Sequence, residues 1–187
     1  MQQKLDHIKT RIRKAATDCG RDPESVRLVA VSKTKPAELV RRAIAAGAGI
    51  IGENYIQEAR EKFKALDDCT VDWHYIGHLQ SNKARYAVRL FDLIHSVDSL
   101  KLARELNKSA KKIDKVQPIL IQVNISKEKT KGGVHEAQAL ELVRAVSELT
   151  NLSIKGLMTM PPYFDDPDRA RPFFKALADL GQQIRAA

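Results

Sequence analysis

Lys33 closes the apolar run Arg27-Leu-Val-Ala-Val-Ser32 and continues its alternation, so Val29, Val31 and Lys33 should share one side of a strand. Where that side meets an apolar interior, desolvation penalises the ammonium form, and a second cation at Lys35 penalises it further. A free amine held there can attack an aldehyde and form a Schiff base. The plainer alternative is a pair of solvated loop lysines ahead of the helix that Pro36 opens. Position alone leaves both readings open.

Other polar residues follow other apolar runs. In α/β proteins the carboxyl ends of the strands carry the chemistry, which singles out Glu53, Asn54, His78, Asn124 and the stretch Met158-Thr-Met160. Each has a structural reading beside the functional one. Asn54 with Gln57 three residues on fits a helix N-cap and its reciprocal partner. Ser81-Asn82 and Ser96-Val-Asp98 fit caps as well. His74 and His78 flank the apolar run Trp73-His-Tyr-Ile76. Four strand residues span roughly 13 Å, too far apart for one zinc with ligands about 2 Å away. His78, just past Gly77, is the pocket candidate, and His74 is expected to pack within the sheet wall or pair with a neighbour. Gly132-Gly133 could cradle an anion ahead of a helix, although no Lys-Ser/Thr follows them.

Positioning such residues takes a regular scaffold, and the apolar rhythm predicts one. Leu5, Ile8, Ile12 and Ala16 recur at spacings of three and four, predicting a helix over 2–18 that ends at Cys19-Gly20. Strands are predicted over 27–32, 50–51, 73–76, 93–95, 118–124 and 153–157. Helices are predicted over 36–46, 54–65, 80–89, 99–110, 135–149 and 167–186. That is one leading helix and six strand–helix units. Strands so short and apolar read as buried on both faces of a parallel sheet. An open doubly wound sheet and an eight-unit barrel are the competing architectures, and six units do not close the barrel. No repeat, linker or dinucleotide-type glycine fingerprint divides the chain, so residues 1–187 read as a single domain.

Composition narrows the classes. The 187 residues are 43% hydrophobic and 29% charged, with 9 Gly and 7 Pro, which excludes collagen-like, disordered and disulfide-scaffold chains. No apolar run approaches the ~20 residues of a membrane helix, and the first residues lack a secretory core. Cys19 and Cys69 stand 50 apart without a CxxC pair, which suits a reducing, cytoplasmic setting. The net charge of +9 admits nucleic acid, anionic membrane or phosphate-bearing small molecules as partners. Over 98–131 basic residues dominate, but no aromatic is interleaved for base stacking, so a solvated basic face is expected.

Three segments together resemble one known family. They are Leu28-Val-Ala-Val-Ser-Lys-Thr-Lys-Pro36, Gly52-Glu-Asn-Tyr-Ile-Gln-Glu58 and Trp73-His-Tyr-Ile-Gly-His-Leu-Gln-Ser-Asn-Lys83, with Gln122-Val-Asn-Ile125 and Gly156-Leu-Met-Thr-Met160 agreeing in the same order. The chain is similar to the pyridoxal 5′-phosphate (PLP) homeostasis proteins, the YggS/PROSC family. The resemblance implies a (β/α)8 TIM barrel of the alanine racemase N-terminal type with an extra N-terminal helix. About six of its eight units fall in this chain. It implies that residues 1–187 form a single PLP-binding barrel domain, incomplete at the C-terminus.

Lys33 matches the lysine that holds PLP as a Schiff base, and Asn54, Ile76, His78, Asn124 and Met158 match strand-end positions facing the cofactor. The implied protein is a non-catalytic carrier in intracellular PLP (vitamin B6) homeostasis. Its expected setting is cytoplasmic and monomeric, with PLP-dependent apo-enzymes as recipients and neither nucleic acid, membrane nor metal as partner. A racemase-like enzyme is the alternative, but racemisation needs a second acid/base on the opposite face, and no tyrosine here has the context for it. A Schiff-base aldolase is a further alternative, disfavoured because such enzymes place their lysine on a later strand. Family members continue for about forty more residues, the further units that an eight-unit barrel needs. Those residues supply much of the phosphate cradle, so the expectation is a truncated chain in which PLP can be absent.

Overall fold

A computed structural model of the chain describes residues 1–128 and 130–187. They fall into two compact units, Met1–His74 and Tyr75–Ala187. In the first unit, helix α1 (Gln2–Asp18) precedes strand β1 (Ala30–Val31), helix α2 (Ala37–Ala45), strand β2 (Ile50–Glu53) and helix α3 (Ile56–Ala65). Strand β3 (Asp72–Tyr75) ends the unit at His74.

Of the apolar stripe on α1, Leu5 and Ala16 are buried while Ile8 is exposed. The helix stops because Gly20 adopts φ +71°, letting Gly20 N–H and Arg21 N–H turn back onto Thr17 O and Ala16 O. Gly47, at φ +91°, ends α2 in the same way, with Gly47 N–H and Ala48 N–H on Ile44 O and Ala43 O. β1 and β2 pair in parallel, Ala30 opposite Ile51 and Val31 opposite Gly52. Ser32 N–H extends that ladder to Gly52 O at 2.9 Å. Every residue of β2 is buried, and Val40, Ile56, Ala59, Leu66 and Trp73 complete the core around it.

The second unit holds helix α4 (Ala84–Leu90), strand β4 (Leu93–Val97), helix α5 (Leu100–Lys111) and strand β5 (Gln117–Asn124). Strand β6 (Val134–His135), helix α6 (Ala139–Ser147), strand β7 (Leu152–Met158) and helix α7 (Arg171–Ala186) follow. β5 is the organising strand, in parallel pairing with β4, β6 and β7. Its alternate residues Gln117, Ile119, Ile121 and Val123 are buried, as are Leu102 and Leu106 of α5 and Ala139 and Val146 of α6. Ser99 caps α5, accepting from Leu102 N–H at 3.4 Å, in place of the expected cap within residues 96–98.

Three expectations are corrected here. The predicted helices at 80–89, 135–149 and 167–186 each begin with a short 3-10 turn, over Ser81–Lys83, Glu136–Gln138 and Pro167–Ala170. The strands are not uniformly buried on both faces, for Pro118, Leu120 and Gln122 of β5 and most of β7 are half-buried. β6 was not expected at all. It exists because Gly133, at φ +123°, lies against β5, where a Cβ would sit 2.7 Å from Asn124 N. Gly133 therefore serves the close packing of two backbones. Gly133→Ala should lower stability by about 2 kcal/mol or more, read as a fall in denaturant midpoint at constant slope.

Candidate functional site

The end of β1 is built over a buried ionic cluster. Ser32 is buried, and its hydroxyl donates to Glu53 Oε1. The Lys62 ammonium, on the inner face of α3, donates to Glu53 Oε1 at 2.6 Å, to Ser32 O at 2.6 Å and to Glu58 Oε2 at 3.3 Å. An ammonium has three protons, and three acceptors take them. Glu53 is fully buried, and its second oxygen, Oε2, has no protein partner. Lys62 and Glu53 are thus a desolvated pair at the base of the turn that carries Lys33.

The turn itself is strained. Thr34, a β-branched residue, adopts φ +61°, a conformation such side chains avoid. Its N–H donates to Glu58 Oε2 at 2.8 Å, and Lys35 N–H closes onto Ser32 O at 3.0 Å. The Thr34 N–H first, and the Lys62 ammonium after it, hold the Glu58 carboxyl below the usual carboxylate range. A depressed carboxylate pKa stabilises the fold fully above the ordinary glutamate value of about 4.3, and that support is lost as pH falls through the lower folded value. The Thr34 amide resonance should accordingly titrate with a midpoint below about 4.3 and stop titrating in Glu58→Gln. A midpoint at or above the ordinary value contradicts the contact.

Lys33 is exposed, and Val31, on the same side of the strand, is 52% exposed. The expectation of an amine buried against an apolar interior is therefore corrected. Alternation tells which residues share a side, but not whether that side is covered. Asn54 is half-buried, and its Oδ1 is buried without a protein partner. It does not cap α3: Tyr55 holds the N-cap position, with no side-chain cap bond. Lys33 and Asn54 thus follow β1 and β2, as the sequence suggests.

In the second unit, Ile76 is half-buried and His78 exposed, with the Tyr75 hydroxyl donating to His78 O at 3.0 Å. Asn124 is buried and spent on its own loop. Its amide Nδ2 donates to Glu128 O at 2.9 Å and Lys131 O at 3.4 Å, while its Oδ1 accepts from Ser126 Oγ at 3.1 Å. Met158, half-buried, ends β7, and the adjoining Thr159 hydroxyl donates to Val123 O at 2.8 Å. A Cβ on Gly132 would lie 3.6 to 3.9 Å from Gln122 Nε2, Asp98 Oδ2 and His78 Nδ1, so these three polar groups gather around it.

Burial holds the His74 imidazole below its usual pKa, and the side chain is interior as expected. Among the described residues no three His, Cys, Asp or Glu are grouped to hold a metal ion, and no helix is long and apolar enough to cross a membrane. Sequence reasoning missed Lys62. The available signal was a lysine in register with the buried side of α3, where Ile56, Ala59 and Lys62 recur at intervals of three.

The chain matches the family model for the alanine racemase N-terminal domain over residues 3–187. It is 40% identical over 183 residues to the pyridoxal phosphate homeostasis protein of Aquifex aeolicus, covering 98% of this chain and 80% of that one. It is 42% identical over 190 residues to the protein of the same name from Vibrio alginolyticus, covering 100% and 82%. Among solved structures it is similar to PipY of Synechococcus elongatus PCC7942 with PLP bound, at 35% identity and a TM-score of 0.80, covering 94% of this chain and 82% of that one.

Proposed function

This chain belongs to the pyridoxal phosphate homeostasis proteins, built on the alanine racemase N-terminal domain, and on that footing we propose that it carries PLP covalently on Lys33. The observation that carries the reading is an exposed primary amine on a turn pinned from beneath by buried charges. The fit to PLP is chemical: the cofactor supplies an aldehyde, and an accessible lysine amine can condense with it, releasing water. Asn54 presents an unpartnered oxygen near the same strand ends. For the second unit, the resemblance proposes Ile76, His78, Asn124 and Met158 as PLP-binding positions, Asn124 acting through its bonds to Glu128 O and Ser126 Oγ.

The carrier role without turnover, recipient apo-enzymes, a monomeric state and a cytoplasmic setting belong to the same proposal. The free thiols Cys19 and Cys69 are consistent with a reducing compartment. Mixing the protein with PLP should give a saturable absorbance change, while exchange of the alanine Cα proton stays at the rate of free PLP. Exchange well above that rate would replace the carrier with a racemase-like enzyme.

A further inference from the structure

We propose that Lys62 is a positioning residue for Lys33, acting through Glu53, Glu58 and the Ser32–Thr34 backbone; the inference rests on the carrier reading. Three observations converge on it. The Lys62 ammonium is buried and bonded to Ser32 O, the carbonyl directly preceding Lys33. Glu53 binds Lys62 and the Ser32 hydroxyl with one oxygen, so strand β2 and helix α3 both grip the last residue of the β1 ladder. Glu58 binds Lys62 and the Thr34 N–H, holding the residue after Lys33 in a conformation it would otherwise leave. Lys33 is thus gripped on both flanks while its own side chain stays exposed.

Such an arrangement fixes where the amine starts from and limits the backbone freedom lost when it is captured. It also separates the two lysines chemically. Lys33 is the reachable amine, whereas all three Lys62 protons are engaged with acceptors.

The test is the double variant Glu53→Gln/Lys62→Met, which removes both charges together so that no buried ion is left alone. Amide hydrogen exchange at Thr34 and Lys35 reads the turn without any cofactor. Borohydride trapping of PLP followed by peptide mapping reads loading at Lys33. The expected result is a roughly tenfold loss of amide protection and a roughly tenfold slower capture at Lys33, with cooperative unfolding retained. Capture at the parental rate overturns the proposal, whether or not protection falls. So does slowed capture with amide protection intact, because the effect would not then pass through the turn. If the parent protein captures no PLP at Lys33, the carrier reading fails, and unchanged amide protection would separately dismiss Lys62 as the element ordering the turn. Should the double variant fail to fold, Glu58→Gln, which keeps the buried pair, carries the same two readouts.

Discussion

Lys62→Met alone should destabilise the Met1–His74 unit by about 3–5 kcal/mol, because it strands the fully buried Glu53 carboxylate without its cation. The double variant with Glu53→Gln should recover most of that loss, since a buried pair replaced whole leaves no uncompensated charge. The contrast separates two ideas that a single substitution confuses. An ion pair can be a poor source of net stability and still be ruinous to break. Urea unfolding of the two variants measures it, as midpoints compared at a common slope. Equal losses in single and double variants would mean that Lys62 contributes mainly by packing its methylenes, not by neutralising Glu53.

Lys33→Ala should reduce covalent PLP loading by roughly a hundredfold or more while changing stability by no more than about 0.5 kcal/mol, as for an ordinary exposed position. Lys35→Ala, two residues on and also exposed, should leave loading largely intact. The comparison matters because both amines are reachable, and only the one flanked by the buried cluster is expected to capture aldehyde efficiently. Comparable loss in both variants would point to a general cationic attraction for phosphate.

The two lysines also show where sequence reading succeeds and stops. Apolar, β-branched runs located the strands, because a chain must bury such segments and the carboxyl ends then follow. Alternation put Val31 and Lys33 on one side, and they do share their exposure. Whether that side is covered depends on elements remote in sequence, which periodicity does not encode. β6 escaped notice because two residues carry no period, and its position comes from a backbone approach that only Gly133 allows.

The candidate site divides the same way. Lys33, Asn54, His78, Asn124 and Met158 were legible from their places after apolar runs, and resemblance added Ile76. Asn54 was misread as a cap because its spacing to Gln57 suits one, whereas α3 starts later and leaves the Asn54 oxygen turned inward. Lys62 was passed over because a lysine on a helix is ordinarily solvated. Its place in the buried row, and Glu58 four residues before it, were visible all along.

Reduction of a PLP-treated sample with borohydride, followed by intact mass and peptide mapping, tests the central claim most directly. The account predicts one retained pyridoxyl group per chain, on the peptide bearing Lys33, and its disappearance in Lys33→Ala. A label scattered over surface lysines, or found on Lys62, would contradict it.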